Sequence, residues 1–293
     1  MGMSTTEAAS AAIGALNPII GALTCIPVYL VAKEMFDKRV GVVAALVFAF
    51  LALPISTTVF SSGTEYGLAA FLVAFMSWFV VKMVKAADAE DVSKKAVLVN
   101  AVIAGIFMAL AALTWNGFRF LVVILIVAMV LQIVVDRFRG RDFQTVLFGY
   151  IATLLVGTLI PAAYYMPAGL WEAVYSGPLL MMVIAVVLSL VFMAIRSKPW
   201  VVTVPALVIV FVVIAAVLAV AAPDLYNDLI WGNSIYSSSI MDELASSYVS
   251  MSNVSSYYGW LTMWLPICYA LYSTYVYFRK DHSCLLYTSP SPR

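Results

Sequence analysis

Long apolar runs separated by short polar joints dominate this chain. They occupy about 11–32, 40–60, 67–85, 96–114, 120–135, 143–163, 179–195, 200–222 and 259–278. Most approach the roughly 20 residues an α-helix needs to cross the hydrocarbon core of a bilayer. The pattern predicts an all-α polytopic membrane protein of about nine spans. A long polar segment, 223–258, precedes the last span and is rich in Ser, Tyr and Asn. Connections of that length are usually functional or disordered. No internal repeat is visible, so the inverted-repeat signature of many transporters is missing.

Composition removes the soluble alternative. The 293 residues are 64% hydrophobic and 11% charged, with mean hydropathy +1.02, where globular proteins carry about 25% charged residues. The net charge of +1 and the lack of a basic cluster point to no nucleic-acid partner. His282 is the single histidine, which excludes a His-rich metal site, and Cys25, Cys268 and Cys284 have no metal or disulfide spacing. Met1 to Ser10 lack the basic start of a signal peptide, so the first span itself would direct insertion.

Charge orients the spans. Lys33, Lys38 and Arg39 share one joint, Lys82, Lys85, Lys94 and Lys95 the next such joint, and Arg137, Arg139 and Arg141 the third. Arg196 with Lys198, and Arg279 with Lys280, complete this alternating set; of the other Lys and Arg, Arg119 lies in an opposite joint and Arg293 in the terminal tail. Basic joints face the cytoplasm, so the chain starts outside, and the alternation supports nine spans because one missed or extra span would break it. The outer joints are then 61–66, 115–119, 164–178 and 223–258. They hold Glu65, Glu172, Asp224, Asp228, Asp242 and Glu243, carboxylates gathered on the face that has almost no cations. Carboxylates at the outer mouth of a helix bundle suit a divalent metal and chemistry on a charged lipid headgroup.

Residues 284–293 read CLLYTSPSPR. The string resembles the translation of a common sequencing adaptor, so 282–293 is expected to be a non-native tail. Residues 1–281 are expected to be a partial transmembrane domain that naturally continues past Asp281.

Three stretches carry a family resemblance. Asn17–Ser56 has a Pro-bearing span ending in a Tyr-Leu…Lys-Glu turn, followed by a Gly-Val-Val-Ala-Ala span; Leu113–Leu125, LTWNGFRFLVVIL, contains a Trp-x-Gly turn; and Ser239–Glu243 reads SIMDE in the long outer segment. Their order and topology resemble the catalytic subunit of oligosaccharyltransferase, the STT3/AglB/PglB family with the GT-C fold. By the family's span numbering, 11–32 corresponds to the second helix, so a first helix and a first external loop with a metal-binding Asp are expected upstream of Met1. One motif departs: the family's Asp-x-Asp or Asp-x-His is replaced by Ser-Gly-Thr-Glu-Tyr-Gly, Ser62–Gly67, in which Glu65 is the lone acid.

The resemblance implies transfer of a glycan from a polyprenyl-linked phosphate or pyrophosphate to a protein Asn side chain, on the extracytoplasmic face of an archaeon-like cell membrane. The implied partners are a lipid-linked oligosaccharide donor, an acceptor polypeptide with Asn-x-Ser/Thr, and membrane lipids. The implied cofactor is Mg²⁺ or Mn²⁺, hard cations that prefer oxygen ligands. Glu65 would be its ligand, and Asp242 or Glu243 would orient the acceptor amide. The isolated chain, lacking the first-loop Asp and the acceptor-reading domain, is expected to be inactive. Blander readings stay open beside these. Glu65 meets a helix dipole favourably without any metal, and Asp242 and Glu243 suit a solvated patch equally well. Arg119, with Trp115 and Asn116, suits either lipid phosphate or a cation snorkelling to headgroups. Tyr164, Tyr165 and Trp171 read as an aromatic belt. The alternative functions are another GT-C glycosyltransferase, a transporter of lipid-linked sugars, and a structural membrane subunit. A transporter predicts charges deep within its spans, and the nine runs hold essentially none.

Overall fold

A computed structural model describes residues 5–51, 55, 58, 65–89, 92–115, 117–138, 141–169, 176–194, 209, 212–213, 215–220, 223 and 226. Every regular element among them is helical. The seven helices are α1 (Thr5–Met35), α2 (Lys38–Phe50), α3 (Tyr66–Asp88), α4 (Lys94–Thr114), α5 (Phe118–Phe138), α6 (Gln144–Tyr165) and α7 (Ser176–Ala194). Six of these contain a stretch long and apolar enough to cross a bilayer, from Gly14–Met35 in α1 to Gly177–Ala194 in α7. The protein is a multi-pass integral membrane protein. The run at 259–278 and most of 200–222 lie outside the described residues, so the expected ninefold count extends beyond them.

Local chemistry explains the helix ends. Asp37 caps α2 by accepting the Val40 N–H at 2.8 Å, and Ser93 caps α4 by accepting the Ala96 N–H at 3.3 Å. Such caps satisfy amide donors that have no partner within the helix. The expected span 40–60 differs from the structure. α2 has only 13 residues and stops at Leu51, whose ψ of 135° is extended. Helical backbone recurs at Ile55, which donates to the Leu51 carbonyl at 3.3 Å. The physical reason is legible in the chain: Pro54 lacks an N–H and disfavours helix in the residue before it.

The described residues fall into two compact units, one up to Val81 and one from Lys82 onward. In the first, α1 and α2 fold back on each other as a hairpin. A Cβ at Gly41 would stand 2.9 Å from the Tyr29 ring, and one at Gly21 would stand 2.7 Å from Thr58, so both glycines permit close approach.

In the second unit, α4 and α6 form the most extensive helix pair. The seam is built from small residues. Ala101, Ala104, Gly105 and Ala112 of α4 are buried, facing buried Gly149, Thr153, Gly157 and Ala162 of α6. A Cβ at Gly105 would lie 2.6 Å from Val156 Cβ and 2.9 Å from the Thr153 carbonyl oxygen, and one at Gly157 would lie 2.5 Å from Met108 Sδ. Membrane helices gain little from burying Leu against Leu, because lipid is equally apolar, so small residues that let backbones approach drive association. The Thr153 hydroxyl shares its proton between the Gly149 carbonyl of its own helix at 3.0 Å and the Ala101 carbonyl across the seam at 3.1 Å. The larger Leu98, Ile106 and Leu110 point outward from α4.

The basic end of this unit has its own order. Arg141 bridges Asp88 at 2.9 Å, which joins the end of α3 to the start of α6. The Arg141 N–H donates to the Asp136 carbonyl at 2.9 Å. Both joints belong to the basic set, and the bridge places them at one end of this unit. Asp136 lies just beyond the apolar run 120–135. α5 runs past residue 135, and Asp136 lies within it at 1% exposure, accepting from Gln132 Nε2 at 3.0 Å. The Gln132 amide thus offsets part of the cost of burying this carboxylate at the helix end.

Candidate functional site: the outer helix ends

At the opposite end of the second unit, α4 stops abruptly at Trp115. Its φ of −141° and ψ of 122° are extended, and its N–H closes the helix on the Ala111 carbonyl at 2.9 Å. Two residues later Gly117 is buried, and a Cβ there would collide with the edge of the Trp115 indole. The Trp-x-Gly spelling therefore has a physical cause: the indole folds over a backbone position that only glycine leaves open. The chain then re-enters helix. Phe118 donates to the Trp115 carbonyl at 3.2 Å and Phe120 to the Gly117 carbonyl at 3.0 Å.

Arg119 is the second residue of α5. It is half-buried, and its Nε is shielded from solvent. Trp115 is half-buried as well, so an indole and a guanidinium share one outer corner. Asn116 stands between them in sequence but lies outside the described residues.

The two tyrosines that close α6 are not equivalent. Tyr164 is 59% exposed, as a belt residue should be, whereas Tyr165 is 8% exposed. The Tyr165 hydroxyl donates to the Ala112 carbonyl at 2.6 Å. Its ring stacks on Phe118 with centroids 6.3 Å apart and planes 9° apart. Belt position alone does not separate neighbouring tyrosines. Helical spacing would have helped, because Tyr165 follows buried Thr158, Pro161 and Ala162 at intervals of seven, four and three.

Glu65 belongs to the first unit. It occupies an exposed turn, and its carbonyl accepts the Ala69 N–H at 2.9 Å, so it stands at the N-terminal boundary of α3. The turn is anchored close by. A Cβ at Gly67 would lie 3.2 Å from Thr58 Cγ2 and 3.7 Å from Asn17 Oδ1, and Asn17 is buried at 4% exposure. Among the described residues no three His, Cys, Asp or Glu side chains come together as a metal site. Glu65 is thus one exposed carboxylate, and no complete metal site is formed by these residues. Asp242 and Glu243, like Glu172, Asp224 and Asp228, lie outside the described residues.

The outer corner thus offers a cation, an amphipathic indole and stacked rings at a helix end, which is suited to an anion with an apolar tail. The family model for the N-terminal part of oligosaccharyl transferase STT3 matches residues 5–281. The chain belongs to the oligosaccharyltransferase STT3 family.

A curated STT3-family relative is dolichyl-phosphooligosaccharide-protein glycotransferase 3 of Archaeoglobus fulgidus. It is 26% identical over 190 residues, covering 61% of this chain and 21% of that protein. Archaeal oligosaccharyltransferase AglB from the same organism, solved with an inhibitory peptide and a dolichol-phosphate, matches with TM-score 0.66 and 19% identity, over 93% of this chain and 34% of that one. The apo form of the A. fulgidus enzyme gives TM-score 0.68 at 19% identity, over 93% and 35% of the two chains. Its complex with Zn and sulfate gives 0.59. The STT3-family chain therefore shares its fold with the archaeal enzyme and spans about a fifth to a third of the length of these relatives.

Proposed function

We propose that this chain is the donor-facing membrane part of an oligosaccharyltransferase and that its outer corner binds the phosphate end of a polyprenyl-linked sugar. The observation that carries the reading is the Trp115–Arg119 turn: a half-buried guanidinium beside aromatic rings at a helix end. A guanidinium fork matches phosphate oxygens and keeps its charge at any physiological pH. Half-burial, with Nε shielded from solvent, favours this role over a cation merely snorkelling to water.

In the proposed reaction the amide nitrogen of an acceptor Asn, in an Asn-x-Ser/Thr peptide, attacks the anomeric carbon of the lipid-linked glycan. A C–N bond forms, the C–O bond to the lipid phosphate or pyrophosphate breaks, and the amide loses a proton. Arg119 offsets the charge left on the phosphate. Asp242 or Glu243 orients the acceptor amide. Glu65 would be one of the residues to hold a divalent cation, Mg²⁺ or Mn²⁺, which would supply positive charge to offset that of the leaving group. The active face is extracytoplasmic, opposite the basic joints. The AglB relative solved with a peptide and a dolichol-phosphate supports both substrate classes. We read the 293 residues alone as insufficient for turnover, since they span 34% of that relative.

The test is glycopeptide formation by the full-length protein from a polyprenyl-linked oligosaccharide and an Asn-x-Ser/Thr peptide. The expected result is product that disappears on chelation and falls by about 10²-fold or more in Asp242→Asn with Glu243→Gln. Absence of product with both substrates demonstrably bound refutes the reaction. Metal-dependent product from the 293-residue chain alone refutes its insufficiency.

A further inference from the structure

We propose that Tyr165 is a positioning residue for the anion-binding corner: one hydroxyl and one ring together hold both arms of the Trp115–Gly117 turn, and so fix where Arg119 sits. This rests on the reading of Arg119 as a phosphate-binding group.

The first arm is the end of α4. The last four carbonyls of a helix have no acceptor role within it, and at membrane depth an unmet carbonyl is heavily penalised. The Ala111 carbonyl is met by the Trp115 N–H at 2.9 Å and by the Thr114 hydroxyl at 3.1 Å. The Ala112 carbonyl is met from another helix, by Tyr165 at 2.6 Å. With Tyr165 at 8% exposure, little water is at hand to replace that donor. The second arm is the start of α5. There the same tyrosine lies parallel to Phe118, which is fully buried at 0% exposure and immediately precedes Arg119. Phe118 in turn donates to the Trp115 carbonyl at 3.2 Å, which closes the loop of contacts.

Tyr165 can serve as a fixed point because α6 is locked to α4 along the glycine seam. A Cβ at Gly105 would already stand 2.9 Å from a backbone oxygen of α6. The neighbouring Tyr164 touches Tyr165 edge-on at 5.4 Å but is largely exposed, and it supplies an internal control. A belt tyrosine needs no buried carbonyl; the bond to Ala112 sets Tyr165 apart from that role.

The experiment is a double-mutant cycle on the full-length protein in detergent micelles, measuring calorimetric Kd for farnesyl phosphate, with uncharged farnesol as the reference ligand. Arg119→Ala is expected to weaken farnesyl phosphate by about tenfold or more, the loss of a charge-assisted contact. Tyr165→Phe keeps the ring and removes only the hydroxyl. It is expected to weaken farnesyl phosphate by about three- to tenfold, in the range of one hydrogen bond, while leaving farnesol unchanged. In the Arg119→Ala background it should have no further effect, because coupled residues are non-additive. Phe118→Leu, which removes the stack and leaves the hydroxyl, should behave the same way, and Tyr164→Phe should bind as the unaltered protein does. Tyr165→Phe at unaltered affinity, or with losses that simply multiply with Arg119→Ala, overturns the proposal. Equal losses for farnesol and its phosphate also overturn it, as they mark a general structural role. A different result, Arg119→Ala at unaltered affinity, sinks the phosphate-site reading itself and is distinguishable from all of these.

Discussion

Gly105→Ala is a single added methyl group whose effect can be worked out from the α4–α6 seam. The new Cβ would stand 2.6 Å from Val156 Cβ and 2.9 Å from the Thr153 carbonyl oxygen, where ordinary contact begins at 3.4 Å. Neither neighbour can rotate away, because one atom is backbone and the other is bonded directly to it. The helices themselves must part by about 0.8 Å. Overpacking of this kind costs about 1–3 kcal/mol. Parting also stretches the Thr153–Ala101 hydrogen bond from 3.1 Å, worth about 0.6 kcal/mol between membrane helices. Alanine's better helix propensity returns about 1 kcal/mol. The net expectation is a loss of about 0.5–2.5 kcal/mol. Equilibrium unfolding in mixed micelles with increasing SDS measures it, with Ile106→Ala on the outward face as a near-neutral control. If Gly105→Ala is as stable as the unaltered protein or more so, the two helices do not pack through this position and the seam is wrong.

Gly117→Ala acts differently, because its Cβ meets the far edge of the Trp115 ring, which can swing aside. It should change stability by less than about 1 kcal/mol yet weaken farnesyl phosphate by about tenfold; unaltered binding would separate Trp115 from the site. Thr153→Val removes the 3.1 Å bond to the Ala101 carbonyl at constant shape, and should cost about 0.6 kcal/mol in the same unfolding assay. A loss beyond about 2 kcal/mol would contradict a hydroxyl whose proton is shared between the Ala101 and Gly149 carbonyls. Asp88→Asn breaks a bridge whose Arg141 side is 48% exposed. It should cost no more than about 1 kcal/mol and become invisible in high salt; a large, salt-insensitive loss contradicts the assignment of this pair to the membrane surface.

The positions of the six apolar helices among the described residues were legible because they depend on summed hydropathy, a property of residue type. Helix faces were not. In lipid, a Leu facing its neighbours and a Leu facing the bilayer have nearly the same free energy, so Leu98 and Ile106 carry no sign that they turn outward. The α4–α6 interface is instead spelled by Ala101, Gly105, Gly149 and Gly157, whose role emerges only when two backbones are placed side by side. The Trp115–Gly117 turn could be recognised as a motif, but the steric reason for its glycine needed the indole's position. Tyr165 reads like Tyr164 until its acceptor on another helix is known. Asp136 carries no sign of burial in the sequence, because it lies one residue beyond the apolar run and its bond from Gln132 emerges only in the fold.

The claim that this family member holds a polyprenyl phosphate at its outer corner is tested most directly by photocrosslinking. A polyprenyl phosphate with a photoreactive group next to the phosphate would be irradiated with the full-length protein and the adduct mapped by mass spectrometry. The account predicts label in the peptide containing Trp115–Arg119, displaced by excess unlabelled polyprenyl phosphate but not by the corresponding alcohol. Label confined to other segments, or label at Trp115–Arg119 that the alcohol displaces equally well, would contradict it.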